Sequence, residues 1–220
     1  MRLFLDVDGV LLNFESAFAR WLNGYFGLGL PHDYETESWF FDDLLEREQL
    51  VEAWHAFLEA QDSARLHPLV PPKRFNALAG TYPVHLLTNF PEPHMDKRVR
   101  NLERVGMAYE SLHYCGLHSF NGHAPQTKAT LVDALRRPDE PAVFVDDHPD
   151  NCLDVANHCD GVEVWLMSRR FNADFHDPRI RRAEGWEPLF ERLGHSGRVT
   201  PGAVGSAGHV AAPADDNPSE

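Results

Sequence analysis

Two kinds of apolar pattern alternate along the chain. Short continuous runs occur at Leu3-Phe4-Leu5-Asp6-Val7, Tyr82-Pro83-Val84-His85-Leu86-Leu87, Pro141-Ala142-Val143-Phe144-Val145 and Val162-Glu163-Val164-Trp165-Leu166. Bounded by Pro, Gly or polar residues, they read as strands buried on both faces. Between them, apolar residues recur with helical spacing. Phe14, Ala17, Phe18, Trp21, Leu22, Tyr25 and Phe26 predict a helix that Asn13 can cap and Gly27 can end. Leu50, Val51, Trp54, Phe57 and Leu58 mark a second, and Pro71-Pro72 opens a third that closes at Gly80. Further helices are predicted from Pro93 to Gly106, from Gln126 to Arg137, from Pro149 to about His158, and around Trp186, Leu189, Phe190 and Leu193.

Strands alternating with helices imply βαβ units, hence an α/β fold with a parallel sheet flanked by helices. The helical block of residues 13–75 falls where a short loop after the first strand belongs. It is far longer than such loops, so it reads as an inserted helical cap on a core of residues 1–12 and 76–194. From His195 onward Gly, Ala, Pro, Ser and Asp prevail, and 195–220 is expected to be a disordered tail. Within the cap, Trp39-Phe40-Phe41 places three aromatics in a row. No single face buries all three, so at least one must point elsewhere.

Polar residues punctuate the predicted strand ends. Asp6 and Asp8 follow the first strand, Thr88 and Asn89 the second, and Asp146 and Asp147 a later one, while Lys128 opens a helix. Ligands of open α/β sheets bind beyond the carboxyl ends of the strands, so these clusters should converge on one cleft. Side chains two apart in an extended segment share a side, which lets Asp6 and Asp8 face it together. Two carboxylates about 4 Å apart repel by roughly 4 kcal/mol at an effective dielectric near 20, so four of them call for a cation. Oxygen ligands with an incomplete protein shell suit Mg²⁺. Thr88, Asn89, Lys128 and the backbone N–H groups around Gly9 and Val10 add donors for an anion. Together this is an inventory for phosphoryl transfer.

Charge sharpens the picture. The chain of 220 residues carries a net charge of −14, which excludes a fold-wide basic footprint for nucleic acid. Between Pro31 and Asp62 stand ten acids and one base, so this segment alone holds −9. An acidic cap over a leaving group should disfavour polyanions and favour monoesters of neutral or cationic alcohols. No apolar run reaches the roughly 18–20 residues of a membrane span. Too few residues precede Asp6 for a signal peptide, and Cys115, Cys152 and Cys159 are too few for a disulfide framework, so a cytoplasmic location is expected.

Asp6-Val7-Asp8-Gly9-Val10, Leu87-Thr88-Asn89, Lys128 and Val143-Phe144-Val145-Asp146-Asp147, in this order, resemble the four motifs of the haloacid dehalogenase superfamily. The paired acids of the first motif resemble its phosphohydrolases. Thr36-Glu37-Ser38-Trp39-Phe40-Phe41 and Asp146-Asp147-His148-Pro149-Asp150-Asn151 look closest to its 5′(3′)-deoxyribonucleotidase-like branch. The resemblance implies a Rossmann-like core with a helical cap. Asp6 is then the nucleophile and Asp8 the general acid/base, acting through an aspartyl-phosphate. Mg²⁺ is held by Asp6, the Asp8 carbonyl and the Asp146–Asp147 pair, with Asp147 the direct ligand of the two. Gly9, Val10, Thr88, Asn89 and Lys128 bind phosphate. Trp39, Phe40 and Phe41 are candidates for substrate selection, with packing of the cap against the core as the alternative. The expected partner is a small phosphorylated metabolite: a nucleoside monophosphate, or alternatively a sugar phosphate or phosphoglycolate-like ester. A nucleic acid polymer and a membrane are not expected partners. Receiver domains also combine acids, Thr and Lys, but they lack the cap and place Lys later in the chain.

Overall fold

The computed structural model describes residues 1–31, 34–60, 65–115 and 126–194. The predicted tail lies outside them. Six strands, β1 (Arg2–Leu5), β2 (Val84–Thr88), β3 (Ser111–Tyr114), β4 (Ala142–Asp146), β5 (Val162–Met167) and β6 (Ile180–Ala183), form one parallel sheet in the order β3-β2-β1-β4-β5-β6. Among the described residues seven α-helices accompany them: α1 (Phe14–Phe26), α2 (Arg47–Ala60), α3 (Pro72–Ala79), α4 (Met95–Val105), α5 (Lys128–Leu135), α6 (Pro149–His158) and α7 (Trp186–Gly194). This is the Rossmann-like α/β architecture that the alternation predicts.

The pleat divides the core in two. Leu3, Leu5, Val143, Val145, Trp165 and Met167 face one side, with apolar residues of α1, α2 and α7. Phe4, Phe144, Val164 and Leu166 face the other, with Ala129 and Val132 of α5 and Cys152 and Val155 of α6. Covered on both faces, the central strands are wholly buried, which is why they read as continuous apolar runs.

Strands β3 and β6 are not foreseen by the hydrophobic pattern. Their sequences, Ser-Leu-His-Tyr and Ile-Arg-Arg-Ala, are short and polar. They are the two edges of the sheet, where one side has no strand to cover it and charge deters pairing with another chain.

Helices α1 and α2 pack through aromatic contacts. The ring centroids of Phe18 and Phe57 lie 5.0 Å apart and those of Phe14 and Trp54 5.4 Å apart. These residues run into the same apolar cluster as the sheet face. The boundary expected at 75/76 falls inside α3, whose Phe75 meets the Trp186 ring of α7 at 5.9 Å, edge to face. No described helix is long and apolar enough to cross a membrane.

Candidate active site

The site begins where β1 ends. The backbone of Asp6 still pairs with β4 through its N–H to Val145 O (2.9 Å), and its carboxylate Oδ1 accepts from Val7 N (2.7 Å). Beyond it the chain turns tightly: Gly9 N donates to Leu12 O, and Leu11 and Leu12 N both donate to Val7 O. Gly9 has a φ of +71°, and a Cβ there would fall 1.7 Å from Asp147 Oδ2. Glycine is therefore required both by backbone conformation and by the close approach of the loop after β4.

Lys128, the first residue of α5, reaches into the space between β1 and β4. Its Nζ lies 2.9 Å from Asp6 Oδ1 and 2.7 Å from Asp146 Oδ2, and all three side chains are buried. Asp146 is further held by His148 N (2.8 Å) and by Asn151 Nδ2 (3.1 and 3.2 Å). Asp147 lies behind Gly9, and its backbone carbonyl accepts from Asn172 Nδ2 (2.8 Å). Carboxylate oxygens of Asp6, Asp146 and Asp147 come within 4.8 Å of one another.

The electrostatics of this trio are unfavourable as they stand. The Asp6 carboxyl is raised to about 7, by burial first and by the charges of Asp146 and Asp8, against the opposing pull of Lys128. Asp147 is raised well above the usual carboxylate range by burial and then by the charges of Asp6 and Asp146. Lys128 balances only part of this charge. A hard divalent cation with oxygen ligands, Mg²⁺ among them, fits the remainder.

Asp8, two residues past Asp6, does not join the trio. Its Oδ2 accepts from Arg98 NH2 of α4 at 2.7 Å, and its Oδ1 is buried without a partner. Burial raises its carboxyl, and the Arg98 guanidinium opposes that rise. Arg98 is itself wholly buried, with its guanidinium 4.1 Å from the centre of the Phe90 ring.

Other residues expected at the site have definite places. Thr88 ends β2 fully buried, and its Oγ1 accepts from Phe90 N (3.2 Å). Val10 is buried, and its carbonyl accepts from Trp186 Nε1 (2.9 Å). Asn89 lines, with Asp8, Gly9 and Asp147, a cavity of about 230 Å³. The rest of the cavity wall is mostly apolar, with Phe14, Phe18, Trp54 and Phe171 beside Trp39, Phe40 and Phe41. The aromatic triplet splits as its spacing requires. Phe41 is buried against Phe18, Phe40 is exposed, and Trp39 stands edge-on to His148 at 4.7 Å. Glu15, Thr36, Asp42 and Arg47 are polar members of the wall. Asp150 is exposed in the first turn of α6, whereas Asn151 turns inward to Asp146.

The sequence reading missed Arg98, Arg169 and Asn172. Arg169 donates to Gly9 O and Asn172 to Asp147 O, so the loop after β5 is tied to the loops after β1 and β4. A signal for Arg98 exists in helical spacing: it precedes Asn101 and Leu102 by three and four positions and shares their buried face.

No family model matches the chain, and no curated protein does. Solved structures do. A haloacid dehalogenase-like hydrolase from Streptococcus pneumoniae is 19% identical, with 89% of this chain and 98% of that one covered and a TM-score of 0.55. A HAD hydrolase from Bacillus subtilis, bound to magnesium, is 17% identical over 88% and 98% of the two chains, at 0.55. A protein described as a β-phosphoglucomutase from Thermotoga maritima is 16% identical over 89% and 99%, also at 0.55. The chain shares its fold with these three structures.

Proposed function

We propose that the protein is a Mg²⁺-dependent phosphomonoesterase of the haloacid dehalogenase superfamily. The observation that carries this reading is the buried trio Asp6, Asp146 and Asp147, with Lys128 bridging Asp6 and Asp146 and with Asp147 lining the same cavity as Asp8 and Asn89. An Asp6 carboxylate oxygen attacks phosphorus, and the bond from phosphorus to the alcohol oxygen breaks as Asp8 gives that oxygen a proton. Asp8, now ionised, takes a proton from water. The water oxygen attacks phosphorus and frees Asp6 and inorganic phosphate. Lys128, Asn89 and backbone N–H groups around Gly9 balance charge on the phosphoryl oxygens.

Asp6, the Asp8 carbonyl and Asp147 would hold Mg²⁺, with Asp146 behind them. When bound, the ion lowers the repulsion between the Asp6 and phosphate anions. Asp146 is already engaged by Lys128, His148 and Asn151, whereas Asp147 accepts no hydrogen bond at its carboxylate among the described residues, which favours Asp147 as the direct ligand.

The aromatic wall suits an uncharged leaving alcohol with a flat apolar face, and nucleoside monophosphates are the first substrates of choice. A panel of phosphate monoesters with Mg²⁺ tests the reading, with sugar phosphates and phosphoglycolate as alternatives. Asp6→Asn should abolish turnover of a generic aryl phosphate, and full activity in that variant overturns the mechanism.

A further inference from the structure

Arg98 is an unusual residue to bury. It sits on the inner face of α4, wholly inaccessible, and contacts Asp8 across 90 positions of sequence. Guanidinium has five N–H groups. Here NH2 holds Asp8, while Nε and NH1 are buried with no hydrogen-bond partner. The ring of Phe90 beneath the guanidinium offers a cation–π contact, not a hydrogen bond. An ion pair buried with orphaned donors is a poor source of stability, and a hydrophobic pair of the same volume usually does as well. The contact does, however, hold one particular carboxylate. Asp8 lines the same cavity as Gly9, Asn89, Asp147 and the aromatic wall, and in the phosphomonoesterase reading it gives its proton to the leaving oxygen there.

We propose that Arg98 is a positioning residue that sets the orientation of Asp8 and so governs proton transfer to the leaving alcohol. This rests on the phosphomonoesterase reading, in which Asp8 carries the proton. Without Arg98, nothing else among the described residues binds the Asp8 carboxylate, and it is free to rotate off the line to the leaving oxygen. Arg98 itself touches neither substrate nor phosphorus.

The test is the dependence of kcat/KM on leaving-group acidity, since kcat/KM reports steps through cleavage of the ester bond. A dinitrophenyl ester needs little protonation, and a simple alkyl phosphate needs it fully. Arg98→Met should lose about 100-fold on the alkyl ester, in the range that general acid catalysis supplies, and less than about 10-fold on the dinitrophenyl ester. Arg98→Lys, which keeps the charge, should recover part of the alkyl activity. In an Asp8→Asn background, Arg98→Met should change kcat/KM on the alkyl ester less than about threefold, against about 100-fold in the parent, because residues that act through one another are not additive.

Equal losses across the ester series, or full additivity with Asp8→Asn, overturn the proposal. Should Arg98→Met fail to fold by near-ultraviolet circular dichroism, Arg98→Lys and the double variant decide. A leaving-group dependence in Arg98→Lys no steeper than in the parent then overturns it. Asp6→Asn is run in parallel. If Asp6→Asn is fully active, the phosphomonoesterase reading itself fails; if it is inactive while Arg98→Met shows no added leaving-group dependence, only the role of Arg98 fails.

Discussion

Replacing Lys128 with Met removes one ammonium and keeps the apolar stem, so it isolates the charge at the centre of the acidic cluster. Nζ lies 2.9 Å from Asp6 and 2.7 Å from Asp146, and the three side chains are 1%, 9% and 0% exposed. At an effective dielectric of about 20 each contact is worth about 6 kcal/mol of gross attraction. Desolvation of the ammonium offsets several kcal/mol of this, and breaking a buried pair while leaving its carboxylates in place costs about 3–5 kcal/mol net. For a domain of this size that corresponds to a Tm lower by about 10 °C. The loss should also depend on pH. Asp6 titrates in the folded protein at about 7, above its unfolded value of 3.8. Below that pH the folded state binds the extra proton, Asp6 is neutral in parent and variant alike, and Lys128 has one anion fewer to balance. Above it Asp6 is ionised in the parent, and the variant must either keep two unpaired anions or hold a proton against the bulk. The deficit therefore widens as pH rises through about 7. Thermal unfolding of both proteins in chelator, at about pH 5 and about pH 8, measures it directly. A deficit below about 1 kcal/mol at the higher pH, or one equally large at the lower, would refute the assignment of Lys128 as the main counter-charge.

Three further outcomes follow from the same geometry. Gly9→Ala should cost about 1–2 kcal/mol in backbone strain and, by driving Asp147 aside, weaken Mg²⁺ binding at least about tenfold; Gly161→Ala, at a φ of +79° with open space around it, should show the strain without the loss of metal affinity in titration calorimetry. Because Mg²⁺ competes with the protons on Asp6 and Asp147, both held above the usual carboxylate range, its affinity should rise with pH through about 7, and a flat profile would contradict these two as ligands. The ten acids between Pro31 and Asp62 should make a bisphosphate a poorer substrate by kcat/KM than the matching monophosphate, and a preference for the bisphosphate would count against a cap that repels anions.

Much of the scaffold is legible in one dimension. Strands β1, β2, β4 and β5 announce themselves because both their faces are buried, and the helices do so by periodicity. The acids after β1 and β4 and the polar residues after β2 are legible too, because a parallel sheet brings all its strand ends to one side. Tertiary structure alone decided the rest. The edges β3 and β6 are half-solvated and carry no apolar run, so local pattern does not mark them. Trp39, Phe40 and Phe41 are equivalent by type, yet packing against Phe18 and His148 gives each a different place. Of the four aspartates that the strand ends supply, three cluster at metal distance, and the fourth, Asp8, pairs with an arginine from another helix. That division cannot be read from spacing. A carboxylate two residues along an extended chain is free to turn either way, and its direction is chosen by whichever buried cation the folded chain brings within reach, here one 90 residues distant.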